Sequence, residues 1–401
     1  AASRQRASDK RLHVLLDLGR YRDAMRVIGA AHGRTVRDLS APAAVERLRG
    51  DARSRWDAAA GRYAARRAQL ERETARAWTM AETDRRTKLV ELRSEHRHAR
   101  AELERLLEEL APHARREPAL DPTTLEGDAL LLAYEPLDHG FAAVAASRRA
   151  VVGARVDGSA LLAPFDAAIA AARRIRVLAP PSLAHVDFHA LSFRGRPLAA
   201  HGIVEYVIAS ALPRSGERRR GALVVGDPSG DLPGARAEAG WVRDALAARG
   251  NDVTYLSQAD ATSARLLAAL GAADVLHFSG HALHERDHAW GAALSLHRTD
   301  RLDIADVLAA PRVPPVVILA ACNGAKQEGD ALGIAHAFVL AGSRAVVAPS
   351  RAVSDALSLA FARRFHGAWD GRPESASGAV REAQLATMPE GDWAAFRIFV
   401  P

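Results

Sequence analysis

The spacing of apolar positions changes near residue 127. Before it, glycine is missing between Gly61 and Gly127 and proline between Pro42 and Pro112, which is what long uninterrupted helices require. Leu103, Leu106, Leu107 and Leu110 recur three and four positions apart, with Glu and Arg on the other faces, so this helix carries one stripe that needs a partner helix. Beyond Gly127, short apolar runs take over at 129–134, 141–146, 175–179, 222–226, 275–278, 316–321 and 345–348, and helical stretches separate most of the later ones. Runs apolar on both faces, such as VVILAA at 316–321, predict strands covered by helices on each side and hence a mostly parallel central sheet. The first two runs lie close together and predict an antiparallel meander at one edge. The expected fold class is α/β, preceded by an all-α region.

With 401 residues, 48% hydrophobic and 26% charged, the chain has an ordinary globular composition and room for two domains. We expect a helical region at 1–115, a linker at 116–127 that holds Pro118 and Pro122 among charged residues, and an α/β domain at 128–401. No apolar run approaches the roughly 20 residues of a membrane span, and the start AASRQRASDKR lacks the apolar core of a secretory signal. This predicts a cytoplasmic protein with no membrane partner. Cys322 is the one cysteine, so no internal disulfide can form, which fits a reducing compartment. The net charge of +7 raises the question of nucleic acid. Its cations are almost all Arg interleaved with Glu and Asp, with no Gly-rich or aromatic module beside them, and read as a solvated helical surface.

In a parallel sheet, functional side chains collect on the loops leaving the C-terminal strand ends. The predicted strand ADVLHFSG runs into His281 and PVVILAA into Cys322, with enough chain between them for one crossover. A thiol becomes a nucleophile when a neighbouring imidazole takes its proton, so this pair could perform acyl transfer. Gly280 and Gly324 are expected to permit tight turns there, and the N–H groups of Ala282 and Cys322 are candidates for an oxyanion hole. On composition alone, a lone cysteine in such a run is more often a small, buried, inert residue than a nucleophile. His277, inside the strand, reads as a core histidine with satisfied partners. His277, His281, His284 and His288 form no HExxH arrangement and have no acid or thiolate at ligand spacing, so neither a metal nor another cofactor is expected. No G-x-S-x-G elbow indicates a serine hydrolase.

HFSGHA at 277–282 and ILAACNGA at 318–325 resemble the paired active-site motifs of the CHAT family, caspase-like domains attached to tetratricopeptide repeats. The resemblance continues through LAPPSLAHVDFHAL at 178–191, VVGDPSGDLPGARAEA at 224–239, GIAHAFVLAGSRAVVAPSRAVSD at 333–355 and GDWAAFRIFV at 391–400, covering roughly residues 125 to 401. LLDLGRYRDAMRVI at 15–28, within a segment 12–30, resembles the turn between the helices of one such repeat. The family implies a caspase-like α/β sandwich and peptide-bond hydrolysis by a cysteine–histidine dyad under control of the helical repeats. By motif position His281 would be the base and Cys322 the nucleophile. Three departures stand out: Ala282 replaces a usual glycine, Asn323-Gly324 a frequent Glu-Thr, and Arg351-Ala352 a common Trp-Pro.

These observations lead to a bacterial, regulated cysteine endopeptidase that takes a protein or peptide substrate and meets a regulatory partner through its helical region. Asp355, Asp330 and Ser350 are candidates for substrate binding, although each Asp equally fits a helix N-terminus. Two other classes remain: a silent interaction scaffold, which the retained Cys and His argue against, and an Arg-rich nucleic-acid adaptor, whose binding would fall steeply with salt.

Overall fold

The computed structural model describes residues 2–37, 50–76, 82–110, 122–208, 220–284, 292–321 and 333–401. Among the described residues, four helices come first: α1 (Ala2–Asp17), α2 (Tyr21–Arg37), α3 (Gly50–Arg76) and α4 (Glu82–Leu110). The α1–α2 turn falls at Gly19, whose φ of +66° suits glycine. Next come β1 (Ala129–Pro136), β2 (Phe141–Ala146), β3 (Val151–Val156), α5 (Asp166–Ala170), β4 (Arg174–Leu178), β5 (Ser192–Phe193), β6 (Arg196–Pro197), α6 (Leu198–His201) and β7 (Ile203–Val207). They are followed by β8 (Gly221–Gly226), α7 (Pro233–Ala248), β9 (Asp252–Ser257), α8 (Ser263–Leu270), β10 (Val275–Gly280), β11 (Ala282–His284), β12 (Ala292–Ser295), β13 (Arg301–Asp303) and α9 (Ile304–Ala309). The chain closes with β14 (Val316–Ala321), α10 (Ile334–Ala341), β15 (Ala345–Pro349), α11 (Asp355–Ala368), α12 (Ala376–Thr387) and β16 (Phe396–Val400).

Eleven strands form one sheet in the order β3-β2-β1-β4-β7-β16-β15-β14-β10-β8-β9. Most of its pairings are parallel, as the two-faced apolar runs predict, and β1–β2–β3 is an antiparallel meander at one edge. One feature differs from a simple parallel sheet. β15 and β16 pair antiparallel, so the block β9, β8, β10, β14, β15 runs one way and β16, β7, β4, β1 the other.

Both faces are covered. Val317, Leu319 and Ala321 of β14 pack with Leu276, Phe278, Leu266, Val307 and Phe338, while Val316 and Ile318 point to the opposite core with Val242, Phe361 and Phe365. The first core also takes Trp56 and Tyr63 from α3 and Leu103 and Leu106 from α4, so these two positions of the predicted leucine stripe are buried against both α3 and the sheet layer. The α1–α2 hairpin caps the meander through Leu12, Leu16, Met25 and Ile28.

A buried charge cluster joins α3 and α4 to the β13–α9 corner. Asp303 and Asp306 form a capping box, each accepting from the other's backbone N–H. Arg67 donates to Asp306, Tyr63 donates to Asp306 at 2.7 Å, and Arg100 reaches Asp303 at 3.4 Å. Burial and the neighbouring Asp303 charge push the Asp306 carboxyl upward; burial would raise Asp303 too, but Arg100 and Arg67 outweigh it and hold that carboxyl down.

Burial also keeps several imidazoles neutral. Desolvation brings His189 and His336 down to about 4, and His96, packed on Tyr63, to about 4 as well; His32 and His366 are lowered for the same reason. Each takes up a proton more readily unfolded than folded. The stability they contribute is therefore complete above pH ~6.5 and is lost as the pH falls toward ~4. For the three brought down to about 4, the loss is on the order of 1 kcal/mol each per pH unit within this window. Urea midpoints should fall steadily through this window, and a flat profile would contradict neutral burial.

Candidate active site

The C-terminal ends of β8, β10, β14 and β15 share one rim of the sheet, because these strands run in the same direction. β10 is the middle of three neighbours, with β14 on one side and β8 on the other. Gly280 pairs with Ala321, and Ser279 with Gly226. Past these residues the chain enters His281 from β10 and Asp227 from β8. Cys322 follows Ala321 and, like Asp330, lies outside the described residues.

Gly280 corrects the expectation of a tight turn. It is the last paired residue of β10, without the positive φ that would demand glycine. Its use is space: a Cβ there would stand 3.0 Å from both the Phe278 ring and Pro228. The β8 loop can thus lie directly against the strand end that carries His281.

That loop is built around Asp227, which is fully buried and has a φ of +47°, a strained conformation for a residue other than glycine. Its N–H donates to Ser279 O at 2.9 Å, and its carboxylate accepts from the N–H groups of Gly230 and Leu232, each at 2.9 Å, and from Arg236. Ser229 Oγ donates to Asp231 at 2.6 Å. Both Asp231 oxygens lie 3.2 Å from His281 Nε2. Hydrogen bonds from Ser229 and then His281 hold the Asp231 carboxyl below the usual carboxylate range. The His281 side chain is 41% exposed.

Beneath the rim, His277 is fully buried, as expected of a core histidine. Its Nε2 lies 2.8 Å from Glu238 Oε1, its Nδ1 3.2 Å from His366 Nε2, and Ser279 Oγ donates to Glu238 at 2.7 Å. This network pins β10 to α7 and α11 two to four residues before His281.

Ala282 opens β11 opposite Leu294 of β12. The bond from Ser295 N to His281 O, at 2.9 Å, makes Ala282–Leu294 a non-hydrogen-bonded pair, so the Ala282 N–H points away from β12. Ser350 is occupied: its N–H and hydroxyl both donate to Ala395 O, at 2.8 and 3.2 Å. Arg351 ties Asp187 to Asp392 beside it, bracing three segments. Asp355 is the first residue of α11, after the Ser354 cap, and its carboxylate fills the space over Gly234 at the start of α7. No group of three His, Cys, Asp or Glu able to hold a metal occurs among the described residues, and no helix there is long and apolar enough to cross a membrane.

The fold and rim define an α/β domain of two opposed parallel blocks, with an imidazole–carboxylate pair at the C-terminal strand ends of one of them. The chain belongs to the CHAT domain family, whose profile matches residues 158–400. No curated protein matches it in sequence. Among solved structures it is similar to Saccharomyces cerevisiae separase from the separase–securin complex, at 14% identity and a TM-score of 0.44, with 79% of this chain and 18% of that chain covered. It thus spans less than a fifth of the separase chain. It is also similar to the complex of Porphyromonas gingivalis RgpB pro- and mature domains, at 12% identity and a TM-score of 0.41, with 57% of this chain and 64% of that chain covered.

Proposed function

We propose that the chain is a cysteine endopeptidase in which His281 is the general base and Cys322 the nucleophile. The observation that carries this is the register: β10 and β14 are parallel neighbours, Gly280 faces Ala321, and the next residues along the chain are His281 and Cys322. Neighbouring strands lie about 4.8 Å apart, a separation that imidazole and thiol side chains span easily. His281 takes the thiol proton, and the thiolate attacks the scissile carbonyl carbon. The Ala282 N–H, directed away from β12, and that of Cys322 receive the developing oxyanion. The C–N bond breaks as the imidazolium returns its proton to the leaving amine, and a water deprotonated by His281 then hydrolyses the thioester. A protein partner acting on α1 to α4 would regulate this chemistry.

The single cysteine makes the test specific. A library of peptides carrying an electrophilic ketone should label the protein at Cys322, and His281→Ala should slow that labelling at least about tenfold. Equal labelling of both proteins, or labelling no faster than in the urea-unfolded chain, would refute the assignment.

A further inference from the structure

We infer that Asp231 is a positioning residue for His281, fixing the ring so that Nε2 carries the proton and Nδ1 is the atom left to act as base. This rests on the proposed role of His281 and adds a third group to it. Both Asp231 oxygens lie 3.2 Å from Nε2, a place where a carboxylate can only accept, so the ring must donate from Nε2. A neutral imidazole holds one proton, and Nδ1 therefore keeps its lone pair. The strand order gives the line of action: β8 supplies the acid and β10 the imidazole, and β14, the strand that precedes Cys322 in the chain, is the neighbour of β10 on the side away from β8.

Asp231 is held in place by its loop. Asp227 is buried and gathers Gly230, Leu232 and Arg236; Pro228 packs against Gly280; and Ser229 donates to Asp231. When His281 accepts the thiol proton, the ring becomes positive with a carboxylate already in contact. That charge is then offset without rearrangement of the loop. The Asp231 side chain is 64% exposed, so its contribution falls well short of a buried orienting acid, and replacing it leaves the core untouched.

The test uses the full chain with 15N-labelled histidine rings, the His281 signals being assigned by their loss in His281→Gln. At about pH 8, where an ordinary imidazole is neutral, the unmodified chain should show the Nε2–H tautomer and Asp231→Ala a mixture of both. In peptide cleavage, Asp231→Ala should lower kcat about tenfold with KM within about twofold, and Asp231→Glu should recover most of that loss. An unchanged ring spectrum in Asp231→Ala would overturn the inference, as would a rise in KM at constant kcat, which would make Asp231 a substrate contact. Should the unmodified chain cleave no peptide, the peptidase assignment falls while the ring spectra still decide the role of Asp231.

Discussion

Arg67→Met should lower the free energy of unfolding by about 3 to 5 kcal/mol, the usual cost of removing one partner from a buried ion pair. Arg67 is 7% exposed, and its guanidinium donates to Asp306 and to the Arg301 carbonyl. Methionine fills comparable volume but leaves two buried carboxylates without the cation that contacts Asp306, Arg100 remaining 3.4 Å from Asp303. The carboxyl already pushed upward, Asp306, can relieve this by taking a proton, so the deficit should be smaller at pH ~5.5 than at pH ~8. Arg67→Lys keeps the charge without the two-pronged geometry and should fall between the two. Adding Asp306→Asn to Arg67→Met should restore part of the loss, a coupling that separates charge from packing. A urea titration placing Arg67→Met within about 1 kcal/mol of the unmodified chain would show that the cluster does not hold α3 to the β13–α9 corner.

Arg67 also shows why this cluster was not legible in the sequence. Along α3 and α4, Arg55, Arg62 and Arg66 pair with Glu109, Glu102 and Glu95 on an exposed face, the solvated surface that alternating charge predicts. Arg67 sits in the same run and differs only in facing the α/β body, a consequence of tertiary docking.

The strands follow the same logic. β2 and β14 fall where their apolar runs predict, because both faces are covered and nearly every side chain is apolar. β7 escapes that pattern because Glu205 lies in its middle. The carboxylate is 2% exposed and is neutralised across the sheet by Arg174 and Arg176 of β4, a pairing no local window contains. β3 is obscured by exposure of Val152 and by Gly153, whose missing side chain admits Tyr21 and Leu16 from the helical hairpin. Reversal of β16 against β15 is equally hidden, since it depends on which strand a distant segment chooses as its neighbour.

At the rim, the place of His281 just past a strand end was readable because it follows a strongly apolar run. Asp231 was not. It lies in GDPSGD, where Asp227 is an equally plausible acid, and only the folded loop turns one inward to brace the turn and the other toward the imidazole. Glu238 was hidden similarly: helical spacing gives no sign that its carboxylate enters the core to meet His277.

Cleavage kinetics of the full chain beside His281→Ala and Cys322→Ala test the pairing of imidazole and thiol most directly. A positioned general base is worth about 10² to 10⁴ in rate, so His281→Ala should lose that factor in kcat/KM, equivalent to roughly 3 to 5.5 kcal/mol of transition-state stabilisation. Cys322→Ala removes the atom that forms the bond and should fall to the uncatalysed rate. Peptide cleavage that survives either substitution at the rate of the unmodified chain would contradict the proposed chemistry.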